Sequence, residues 1–163
     1  PRVASGDPAN VEGQAAADYF PALFGEGFVR GADGGINAML DYGYALVRAV
    51  VCRALCGAGL HPVFGLHHHN RYNPFALADD AMEPLRPMVD ERVYRYVSEH
   101  GAPGELTPDV KRFLYGVFTA SCDYDGRTYP LGPALERYAA ALRRAICEEG
   151  RRVPCPNSFA WED

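Results

Sequence analysis

The chain has 163 residues, a mass of 17.8 kDa and a formal net charge of −5. That is one domain at ~100–200 residues per domain, with enough chain to hide roughly two-thirds of its unfolded surface. Apolar residues make up 48% and charged residues 23%, which excludes disorder. No apolar run approaches the ~20 residues that span a bilayer; the longest, residues 45–60, is broken by Arg48 and Arg53. The acidic balance argues against a simple basic DNA-coating protein. Five cysteines at irregular spacing argue against a disulfide framework and for a reducing cytosol.

In chain order the pattern is almost entirely helical. Asp7 is a candidate N-cap with Pro8 at the first helical position, and the helix is expected to run to about Phe20, where Pro21 stops it. Glu12, Ala15, Ala16 and Tyr19 share one stripe of it, expected to pack inward. Residues 25–35 form a glycine-rich loop. A second helix is predicted over residues 36–56, ended by Gly57 and Gly59. Residues 60–69 are irregular. A third helical stretch over 73–99 contains Pro84 and Pro87 and should kink near Glu83. A fourth helix, 107–121, has Thr107 as N-cap and Pro108 next to it. Residues 123–129 read as a hairpin on the Asp125–Gly126 turn, and a fifth helix covers 132–149. The tail, 151–163, is expected to be flexible, beyond one helical domain over 1–150.

Three features carry chemistry. Glu12 sits near the inward stripe of the first helix. His67, His68 and His69 follow His61 in a loop, where at most one or two can share a site. Asp79, Asp80 and Glu83 lie near one helical face at i, i+3 and i+4, so the face is either solvated or holds a cation. Histidine with carboxylates suits Mn²⁺ or Mg²⁺ better than structural zinc. Cys52 and Cys56 have zinc-chelating spacing with Cys147 or Cys155, but their apolar surroundings favour buried thiols.

Four segments together resemble the CRISPR-associated adaptation integrases, the Cas one family of spacer-acquisition endonucleases. They are NVEGQAA at 10–16, NAMLDYGYAL at 37–46, GLHPVFGLHH at 59–68 and FALADDAMEPLRPMVD at 75–90. The last has the form found with the single large effector nuclease. The resemblance covers about residues 5–150 and implies a mainly α, multi-helix catalytic domain with at most a small β-hairpin. It implies that Glu12, His68 and Glu83 are both the catalytic residues and the ligands of Mg²⁺ or Mn²⁺. His68 lies 56 residues after Glu12 and Glu83 15 after His68, gaps that fit this subtype; His67 and His69 are competing assignments. The family's N-terminal β-rich domain is expected to lie outside this chain, which reads as an internal fragment.

The implied reaction is spacer acquisition: a short foreign DNA fragment is inserted into the CRISPR array by 3′-hydroxyl attack on a repeat-border phosphodiester. The implied partners are double-stranded DNA, the small adaptation protein of the Cas two family and a second copy within a larger complex, in the bacterial cytoplasm and without a membrane. Arg71 or Arg86 is a candidate phosphate contact, although Arg86 is more simply expected to pair with Asp90 at i+4. Tyr19, Tyr42 and Tyr44 read as core or supporting residues. The alternatives are a metal-dependent DNA repair nuclease and a non-catalytic helical interaction module.

Overall fold

The structure is a computed structural model that describes residues 11–66, 72–148 and 151–161, with the Glu12 side chain outside the description. The expected cap at Asp7, the histidines 67–69 and Arg71 therefore lie outside the described residues. Helices dominate. In chain order they are α1 (Val11–Phe24), α2 (Gly35–Gly57), α3 (Ala76–Met82), α4 (Arg86–His100), α5 (Pro108–Leu114) and α6 (Leu131–Cys147). One 3₁₀ turn, Glu83–Leu85, joins α3 to α4, and another, Tyr115–Phe118, follows α5. Among the described residues, three strands complete the fold: β1 (Ser121–Tyr124), β2 (Arg127–Pro130) and β3 (Asn157–Ala160).

The centre of the fold is α2, which packs against α3, α4, α5 and α6. Its sequence explains this. Leu40, Tyr44, Val47, Val51 and Leu55 recur at spacings of three and four, and all are buried. The facing residues are Leu85, Met88, Val89 and Val93 from the α4 side, and Leu131, Leu135 and Tyr138 from α6. Gly43 lets α2 lie close to α4: a Cβ there would stand 2.5 Å from the Val89 Cγ1. No described helix is long and apolar enough to cross a membrane.

Several expectations need correction. Pro21 does not stop the first helix. It lies inside α1, and its carbonyl accepts the Gly25 N–H at 2.8 Å, closing the last turn. Pro21 lacks the N–H that would bond to residue 17, yet its fixed φ remains helical, and Phe20 and Phe24 on either side pack against the core. The inward face of α1 accordingly runs through Ala16, Phe20 and Phe24, while Ala15 and Tyr19 are exposed. The fourth helix is shorter than expected, tightening into the 3₁₀ turn after Leu114. Its start is as read, with the Thr107 hydroxyl accepting the Val110 N–H.

The hairpin forms on Asp125 and Gly126, both with positive φ, the conformation of a tight two-residue turn. The sheet, however, has a third strand. Residues 157–160 of the expected flexible tail pair antiparallel with β1, giving the order β2–β1–β3. Trp161 then anchors on α4, its indole N–H donating to Glu91 Oε1 at 3.2 Å and its ring facing Arg92. Those contacts join residues some seventy positions apart, so a local reading of a short segment flanked by Pro154 and Pro156 does not show them.

Candidate metal centre

Two prolines build the turn that carries Glu83. Neither Pro84 nor Pro87 can donate to the helical ladder, so α3 ends at Met82 and the chain makes a 3₁₀ turn before α4 begins. Leu85 is buried beneath the turn, and this leaves Glu83 at the surface with its side chain 48% exposed. Arg86 donates from Nε to Glu83 Oε1 at 2.9 Å. The expected Arg86–Asp90 pair is thus replaced by Arg86–Glu83, one turn the other way along the chain. The turn geometry brings i and i+3 together, while Asp90 is engaged elsewhere.

The Arg86 guanidinium also stands over the Tyr44 ring, 5.0 Å from its centre. Tyr44 is buried, and its hydroxyl donates to Asp90 Oδ1; Tyr19 from α1 donates to Asp90 Oδ2 at 3.0 Å. Arg30 approaches the same Tyr44 ring at 5.6 Å and the Phe20 ring at 5.9 Å. Asn37 Oδ1 at 3.0 Å and Asp41 Oδ1 at 2.5 Å hold it there. Asn37 also ties the glycine-rich loop, accepting the Gly31 N–H and donating to the Val29 carbonyl. These contacts join α1, α2, the Glu83 turn and α4 in one polar cluster.

Burial pushes the Asp90 carboxyl above the usual carboxylate range. The Tyr44 and Tyr19 hydroxyls, then Arg86 and Arg30, act in the opposite direction. The Tyr19 phenol is pushed up to about 12, first by burial and then by the neighbouring Asp90 charge. Tyr44 is raised for the same reasons. Both phenols therefore stay protonated as donors at neutral pH.

The acidic run resolves into separate pairings. Asp79 accepts the Asn73 amide at 2.7 Å and faces Arg48 at 3.6 Å. Asp80 accepts the Leu66 N–H at 2.5 Å, which ties the loop before the histidines to α3. Among the described residues, no three His, Cys, Asp or Glu side chains converge on one centre. This includes the cysteines: Cys122 is buried, Cys52 half-buried, and Cys56, Cys147 and Cys155 are exposed, so the buried-thiol expectation fails at Cys56.

Of the three expected ligands, Glu12 lies in the first turn of α1, Glu83 on the 3₁₀ turn, and His68 outside the described residues. Sequence reasoning missed the Asp90 hub and the Arg30–Asn37 clamp. Their partners come from separate helices, and no spacing rule within one segment links them.

The family profile described as CRISPR associated protein Cas1 matches residues 9–104, a span that holds all three expected ligands. The chain is 37% identical to the CRISPR-associated endonuclease Cas1 of Neisseria meningitidis serogroup C (strain 8013), over 92% of this chain and 49% of that one. It is 34% identical to the CRISPR-associated endonuclease Cas1 1 of Francisella tularensis subsp. novicida (strain U112), over 95% of this chain and 52% of that one. The chain thus spans about half the length of the curated relatives it matches. Its fold is similar to that of a casposase bound to integration product, with a TM-score of 0.75 at 20% identity over 92% of this chain and 52% of that one. Helical architecture and sequence agree across most of these residues, and the chain belongs to the Cas1 family of CRISPR-associated proteins.

Proposed function

We propose that this chain is the catalytic part of an integrase for CRISPR spacer acquisition. The full protein inserts short double-stranded DNA fragments into the array. The 3′-hydroxyl oxygen of a fragment attacks a phosphorus at the border of a repeat, one P–O bond forms as another breaks, and the leaving 3′-oxygen takes up a proton. One phosphodiester replaces another, so no energy source is consumed. The protein acts as a homodimer together with the small Cas two family partner.

The observation that carries this reading is the profile match over residues 9–104, which contains Glu12, His68 and Glu83 at the spacing of the resemblance. Two carboxylates and an imidazole form a donor set suited to Mg²⁺ or Mn²⁺. Glu83 is exposed to solvent, where an incoming cation can reach its carboxylate, and its Oε1 accepts from Arg86. When bound, the cation supplies Lewis-acid charge stabilisation at the phosphate. The chain's own residues orient the site. Arg86 keeps a guanidinium next to Glu83, where it offsets the carboxylate's charge.

The test is strand transfer by the full-length protein with its partner, using a labelled DNA fragment and a repeat-containing target. Glu12→Ala, His68→Ala and Glu83→Ala should each abolish product with helicity retained by circular dichroism. Cleavage of the target without joined product would favour a repair nuclease instead. Near-wild-type joining by any variant would remove that residue from the catalytic set.

A further inference from the structure

Tyr19 and Asp90 are placed where they can control the distance between the elements that carry Glu12 and Glu83. Tyr19 lies seven residues after Glu12 on α1, and Asp90 seven residues after Glu83 along the turn and α4. The Tyr19 hydroxyl donates to Asp90 Oδ2 at 3.0 Å, so one hydrogen bond fixes both elements about two helical turns from the two acids. The Asp90 side of the bond is rigid. Its carboxylate is 4% exposed, and its other oxygen takes the Tyr44 hydroxyl from α2. The same Tyr44 ring supports Arg86, which grips Glu83 at 2.9 Å. The Tyr19 side is looser: the residue is 42% exposed, its ring edge-on against Phe20.

We propose that Asp90 is a positioning residue that, through the Tyr19 hydroxyl, sets the spacing of α1 against the Glu83 turn and so the readiness of the two acids to hold a divalent cation. This inference rests on the ligand set given under Proposed function. Loss of the bond leaves α1 anchored by Phe20 and Phe24 but free to pivot about them.

The test uses the full-length protein and Mn²⁺ alone, titrated by calorimetry, with hydrogen exchange of the α1 amides as a readout independent of metal. Tyr19→Phe removes one hydroxyl and keeps the ring. It should weaken Mn²⁺ binding about tenfold and speed exchange in α1, with α2 and α6 unchanged. Asp90→Asn should likewise weaken Mn²⁺ binding and speed exchange in α1. Thr107→Ala, which lowers stability at the remote start of α5, should leave Mn²⁺ affinity unchanged. Unchanged affinity in Tyr19→Phe would overturn the proposal while leaving the metal site standing. A loss in Thr107→Ala equal to that in Tyr19→Phe would overturn it too, as a general stability effect. A wild-type protein that binds no Mn²⁺, or binds it equally well as Glu83→Gln, would remove the ligand set and the proposal together.

Discussion

Asp90 is the residue on which the polar cluster turns, and its burial gives it a pH signature. Its folded-state carboxyl is raised above the ordinary value of 3.8, chiefly by burial. The native state therefore binds the proton more tightly than the unfolded chain, and stability from this group falls as pH rises from about 3.8 through the folded value. Asp90→Asn lacks that titration. The stability difference between wild type and variant should shift toward the variant as pH rises over this window, and urea denaturation at a series of pH values measures it. A flat difference would contradict the burial argument. At this scale the sequence was partly legible. Glu83 could be singled out from its place before a proline, and its kinked setting is as read. Its partner was misassigned, because i+3 and i+4 are equally available until the turn type is known. Asp90 escaped notice because its hydroxyl donors sit on α1 and α2.

At the scale of elements, α2 is the organising piece, and its contact with α4 depends on a missing side chain. Gly43→Ala would force a Cβ to 2.5 Å from Val89 Cγ1. Overpacking of this kind costs about 1–3 kcal/mol, read as a lowered urea midpoint. The change should separate α2 from α4 and so disturb the Tyr44–Asp90 bond. Thr107→Ala removes the hydroxyl that accepts the Val110 N–H and should cost about 1 kcal/mol by the same measurement, without touching the cluster. Helix periodicity showed α2 and α6 to within a residue or two, since their apolar residues recur with a helical period and glycine or proline marks their ends. It failed at Pro21, where packing of Phe20 and Phe24 outweighs the lost hydrogen bond. It also failed at β3, whose four residues are ordered by pairing with β1 and not by any local preference.

For the whole molecule, an acidic chain in a family of DNA-acting proteins calls for local positive charge rather than a basic surface. Arg86 and Arg30 both stack on Tyr44 beside the Glu83 turn, each paired with a carboxylate, Glu83 and Asp41. A fragment limited to these 163 residues should bind double-stranded DNA weakly and with steep salt dependence, checked by fluorescence anisotropy at two salt concentrations. The central claim is that Glu12, His68 and Glu83 together hold one divalent cation. Calorimetric titration of Mn²⁺ into the full-length protein tests it most directly. The account predicts one specific site per chain, lost in each of Glu12→Ala, His68→Ala and Glu83→Ala; undiminished binding in all three variants would contradict it.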